Sequence, residues 1–112
     1  METRQLAKLM GSLSFEERLL IMKALVPTGE VGLSQMELSD ITNLSQSSVG
    51  INLEYMMSTD IVKYRSEAVG KIYLANYNLL ENLFEFMNEN YGSGVSQSIR
   101  TRSSKIIAEP PP

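Results

Sequence analysis

Apolar positions recur along this chain in two rhythms, and the changes between them mark its elements. Leu6, Leu9 and Met10 share one face of a short helix over residues 3–10. Gly11-Ser12-Leu13-Ser14 interrupts it, and Ser14 with Glu17 three residues on has the form of a capping box opening a second helix, Phe15 to Val26. Leu19, Leu20, Met22, Ala24 and Leu25 leave that helix little polar surface and predict near-complete burial. Pro27 to Gly32 reads as a loop from its proline and glycines. Ser34 and Glu37 repeat the box pattern at a third helix, whose inward residues are expected to be Met36, Leu38 and Ile41. Asn43-Leu44 makes a tight turn, Ser45 or Ser47 caps a fourth helix, and Val49, Leu53, Tyr55 and Met56 are expected on its inner face.

Past Ser58-Thr59-Asp60 the rhythm changes. Residues 61–65 and 71–75 are rich in β-branched and aromatic side chains and predict two strands, with 66–70 as the hairpin tip. A last helix over 77–91 follows, with Leu79, Leu80, Leu83, Phe84, Met87 and Tyr91 as its stripe and Glu81, Glu85 and Glu89 opposite. Gly92 is a natural stop, so residues 1–92 are expected to form one domain. The Ser- and Pro-rich stretch 93–112 is expected to be a flexible tail, with Arg100, Arg102 and Lys105 either a DNA arm or solubilising charges. No internal repeat is present. No apolar run approaches the ~20 residues of a membrane span, and the first residues lack a signal peptide's apolar core, so the expected compartment is the cytoplasm.

Helix, helix, two helices across a tight turn, β-ribbon, helix is the order of a winged helix-turn-helix, a mainly α fold whose ribbon is the wing. At this point the chain resembles the ArsR-type (arsenic-repressor-like) family of winged-helix repressors. Leu44-Ser45-Gln46-Ser47-Ser48-Val49 resembles that family's Leu-Ser-Gln-Ser-Thr-Val. Leu13, Glu17-Arg18, Leu20-Ile21 and Leu25 resemble its Leu-Ser-x-x-x-Arg-x-x-Ile-Leu-x-x-Leu, and Leu53 with Ile61-Val62 resembles the passage from recognition helix to wing. The resemblance spans roughly Leu6 to Met87 and implies a homodimer joined through the terminal helices. Its expected interface is Leu6, Leu9, Met10, Leu80, Leu83, Phe84, Met87 and Tyr91; the alternative is that both helices merely close the monomer core.

Composition narrows the chemistry. The chain has no Cys and no His, which removes thiol and imidazole nucleophiles, disulfides, and thiolate or imidazole metal sites. The family's metal sensors use Cys in the third helix, or Asp and His in the last with His and Glu from the partner. Here those places hold Leu33 to Leu38 and only Glu81, Glu85 and Glu89, so no metal and no cofactor is expected. The Glu ladder reads as a solvated face, and the seven Met residues as core filling rather than metal or oxidant sensing. With no nucleophile beside a base, an enzyme is not expected.

Net charge is −3, the wrong sign for a typical nucleic-acid binder, but it is unevenly spread. Residues 1–60 hold four basic side chains against eight acidic ones; from Lys63 onward six face five. The expected DNA-binding set is Ser45, Gln46, Ser47, Ser48 and Asn52 on the fourth helix, with Lys63, Arg65 and Lys71 of the ribbon gripping phosphates. The alternative is an ordinary capping cluster and solubilising strand charges. Where the family commonly has Ser-x-His-Leu, this chain has Gly50-Ile51-Asn52-Leu53. Gly50 either admits a sugar-phosphate backbone or is simply tolerated. Two functions follow as expectations: a homodimeric regulator, most simply a repressor, on double-stranded DNA; or a winged-helix module that has lost DNA binding and uses its acidic surface to bind a protein partner or to antagonise another DNA-binding protein.

Overall fold

The computed structural model describes residues 2–89. Helix α1 covers Thr3–Ser12, α2 Glu16–Leu25, α3 Gln35–Thr42 and α4 Gln46–Ser58; a single 3₁₀ turn, Val26–Thr28, continues α2. Strands β1, Val62–Glu67, and β2, Gly70–Ala75, form an antiparallel ribbon, and α5 occupies 77–89. This is the winged helix-turn-helix, mainly helical, that the sequence predicts.

The core lies where α2, α3 and α4 meet the base of the ribbon. Ile21, Leu25, Leu38, Val49, Leu53, Met56, Ile61 and Val62 are covered there together with Leu9, Tyr73, Ala75 and Leu79. Complete burial of a leucine such as Leu25, Leu38 or Leu53 contributes about 2 kcal/mol each. In α4 the buried positions are Val49, Asn52, Leu53 and Met56, the i, i+3, i+4, i+7 spacing of one helix face.

Local polar chemistry sets the helix ends. Ser34 and Glu37 form the reciprocal capping box at α3. Ser45 caps α4, accepting from the Ser48 amide. Between them Asn43 takes the left-handed conformation at φ 62°, which asparagine tolerates better than most residues. The Ser39 hydroxyl donates to the Leu44 carbonyl, closing the turn.

A two-residue turn, Ala68-Val69, joins the strands, whose register runs from Val62↔Ala75 to Glu67↔Gly70. Leu33 adds a single bridge on the far side of β2, giving its amide to Tyr73 O at 3.0 Å and receiving the Tyr73 amide at 2.8 Å. Gly32, at φ +67°, makes that bridge reachable: an added Cβ would stand 2.5 Å from the Tyr73 carbonyl oxygen. Asn76 pins the start of α5, donating from Nδ2 to Asp60 O at 2.7 Å and accepting the Leu79 amide on Oδ1. The Tyr77 hydroxyl ties the same turn to Val26 O at 2.8 Å.

Several expectations are corrected. The Ser14–Glu17 box does not form: Ser14 Oγ turns back to Gly11 O, α1 runs on through Gly11, and α2 opens on Phe15 without a side-chain cap. Leu19, Met36, Ile41 and Tyr55 are exposed rather than inward, because α2, α3 and α4 each offer the core a narrower stripe than their apolar content suggests. Leu9 is 1 % exposed and belongs to the monomer core, so it is not available as an interface residue. The exposed apolar surface of the terminal helices is Met10, Phe84 and Met87, bordered by half-covered Leu6, Leu80 and Leu83. Tyr91 and the tail 93–112 lie outside the described residues. Among the described residues no helix is long and apolar enough to cross a membrane.

Candidate nucleic-acid interface

The first turn of α4 is built by its cap. Ser45 Oγ receives the Ser48 amide at 3.0 Å and donates to Ser48 Oγ at 3.0 Å, so these two hydroxyls are committed to each other. Gln46 and Ser47 stand exposed beside them. Their amides belong to a helix N-terminus, where unpaired N–H groups and the aligned peptide dipoles favour an anion.

Besides the shared core, one polar side chain bridges α3 to α4. Gln35 Nε2 donates to Gln46 O at 2.7 Å. A Cβ at position 50 would lie 2.9 Å from that same nitrogen. Gly50 therefore makes room for the Gln35 bridge between the two helices, which accounts for a glycine that costs a helix interior about 1 kcal/mol.

Asn52 does not join the outward set. Its side chain is 8 % exposed and Nδ2 donates to Ser48 O at 2.9 Å, one turn back along its own helix. An amide so placed cannot reach a base edge, and it is dropped from the candidate readers. Ile51 takes its place: it is 67 % exposed, with Ser47 and Tyr55 exposed one turn to either side. Counting inward positions from Val49 at helical spacing gives Asn52 inside and Ile51 outside, a signal that polarity alone conceals.

Behind this face lies a cation that sequence reasoning left out of the site. The Arg18 guanidinium carbon sits 4.5 Å from the centroid of the Phe15 ring and 4.1 Å from that of Tyr55, a stack linking α2 to the outer face of α4. Its Nε and Nη1 are buried and have no hydrogen-bond partner among the described residues. α4 carries no Lys or Arg, so Arg18 places positive charge beside a helix that has none of its own.

The ribbon splits the three basic residues predicted for it. Residues directly opposite share a face, so Lys63 and Arg65 lie on one side while Lys71, opposite Ser66, lies on the other with Tyr64 and Tyr73. Lys71 Nζ is 4.6 Å from the Tyr64 ring centroid and exposed near the tip; Lys63 is exposed near the base. Arg65 is occupied. Its Nε pairs with Glu67 at 2.7 Å, while Nη1 and Nη2 donate to the carbonyls of Glu30 and Val31 at 2.5 and 2.9 Å. It clamps the loop before α3 to the wing, and its guanidinium is not free for a phosphate. Among the described residues no three carboxylates converge as a metal site; Glu81, Glu85 and Glu89 are exposed.

No family model matches the chain, and no curated protein matches it. Solved structures do. An ArsR-like transcriptional regulator from Rhodococcus sp. is 21% identical, covering 95% of this chain and 94% of that one at a TM-score of 0.69. HlyU from Vibrio cholerae is 27% identical, with 81% and 98% covered at a TM-score of 0.64. NolR from Sinorhizobium fredii is 21% identical, with 80% and 86% covered at a TM-score of 0.61.

Proposed function

Since the chain has the winged-helix fold of the solved structures it resembles, we propose that it is a homodimeric, sequence-specific DNA-binding transcription regulator. It acts in the cytoplasm as a repressor, competing with polymerase at an operator of two-fold symmetry. It senses no metal through Cys or His, because it has neither. The observation that carries this reading is α4 itself: capped by Ser45, seated by Gln35, and holding Gln46 and Ser47 outward on its first turn. In this reading Gln46 and Ser47 touch bases, the Ser45–Ser48 hydroxyl pair holds the helix end against a phosphate, and Lys63 and Lys71 bind backbone on opposite sides of the wing. Met10, Phe84 and Met87, with Leu6, Leu80 and Leu83 around them, supply the apolar surface for pairing two copies.

One observation favours a second reading. The only charged residue within α4 is Glu54, so a protein partner could replace DNA on this face. Salt separates the two. Polarisation titration against duplex DNA should give log K falling steeply with log salt, and Lys71→Gln should reduce the slope by about 1 per protomer while weakening all sequences alike. Absence of affinity for any duplex at low salt, with a stoichiometric protein partner captured instead, decides for the interaction module.

A further inference from the structure

Within the DNA-binding reading, we propose that Ile51 is a specificity-determining residue of α4, packing on the C5-methyl group of a thymine in the major groove. The case begins with what the outer face lacks. No Arg or Lys on α4 can reach the O6 and N7 of guanine, the commonest specific contact. Asn52, the residue type suited to adenine, is buried and bonded to Ser48 O. What projects midway along the helix is a β-branched apolar side chain, 67 % exposed.

The major groove offers one apolar feature, the methyl group of thymine. Ile51 suits it. A β-branched side chain in a helix holds essentially one χ1 rotamer, so little freedom is lost on contact. Tyr55, one turn on, is steadied by the Arg18 guanidinium stacked 4.1 Å from its ring centroid, so the neighbour of Ile51 on this face is held before binding. The operator is therefore expected to hold a thymine in each half-site whose methyl, rather than its hydrogen-bonding edge, is recognised through Ile51.

The test replaces thymine by deoxyuridine, which removes only the methyl group, one position at a time in the duplex that the wild-type chain enriches from a random pool. One position per half-site should weaken wild-type binding about fourfold, the equivalent of about 0.8 kcal/mol for one buried methyl. Ile51→Ala should bind the thymine and deoxyuridine duplexes equally. Its melting temperature should match the wild type, since the side chain is exposed and alanine is the better helix former. If no position is sensitive to the methyl, or if Ile51→Ala keeps the wild-type sensitivity, the assignment of Ile51 is wrong while the regulator reading stands on the enriched duplex. If the pool yields no duplex at all, the regulator reading fails and takes this assignment with it.

Discussion

Ser47→Glu weakens duplex binding by at least about a hundredfold while leaving the melting temperature unchanged or slightly raised. Ser47 is exposed on the first turn of α4, and its side chain supports nothing in the fold. A carboxylate there interacts favourably with the helix dipole, by about 0.3–1 kcal/mol, so stability does not fall. Against a phosphate backbone the same charge is repulsive. Like-charge contacts at an interface cost several kcal/mol, and a dimer makes the contact twice. Stability and affinity thus move independently or in opposite directions, which no general unfolding can imitate. Thermal melting and polarisation titration on the same preparation check it, and retention of wild-type affinity would remove the α4 first turn from the binding site.

Gly32→Ala is the largest expected loss of stability, about 3 kcal/mol. Two effects combine there. The backbone is held at φ +67°, which side chains other than glycine rarely adopt, and the new Cβ would meet the Tyr73 carbonyl oxygen at 2.5 Å. That oxygen accepts the Leu33 amide in the bridge between the loop and β2, so relief of the clash breaks the bridge. With roughly 5–15 kcal/mol available to a domain, and about 4–8 °C lost per kcal/mol at this size, the melting temperature should drop by more than about 12 °C. Gly29→Ala is the control: φ there is +58° but nothing lies within 4 Å, so only the backbone strain is felt and the drop is a fraction of the other.

What could be read from the chain and what could not divides by range. The Ser34–Glu37 box is closed by residues three positions apart and the sequence states both partners, whereas the sequence leaves the α4 cap open between Ser45 and Ser47 and the fold takes Ser45. The β-branched and aromatic enrichment of 61–65 and 71–75 states the ribbon in the same way, and with α3 and α4 it establishes the winged helix-turn-helix. Ser14 shows the limit of local pattern: it has the right partner at Glu17, yet its hydroxyl bonds Gly11 O as α1 runs on.

Some of the polar contacts that fix the site join residues far apart in the chain, and no periodicity announces them. Arg65 looks like a phosphate ligand until its partners, the carbonyls of Glu30 and Val31 more than thirty residues earlier, are seen. Gln35 and Gly50 make sense only as a pair across the helix-turn-helix. Asn52 misled for another reason. Polarity suggests the outside, helical phase from Val49 says the inside, and phase prevailed because the amide found a partner in Ser48 O. In the terminal helices the apolar stripes were legible but not their division, with Leu9 drawn into the core and Phe84 left 68 % exposed.

The most direct measurement is selection from a pool of random duplexes at about 50 mM salt, where phosphate contacts are far less screened than at about 200 mM. A dimer that presents its two α4 helices to successive major grooves should enrich a palindrome whose half-sites lie about 34 Å apart, one helical turn. Ser47→Glu should enrich nothing. A pool left unchanged by the wild-type chain, or the same sequences recovered by Ser47→Glu, would contradict the claim that α4 enters DNA.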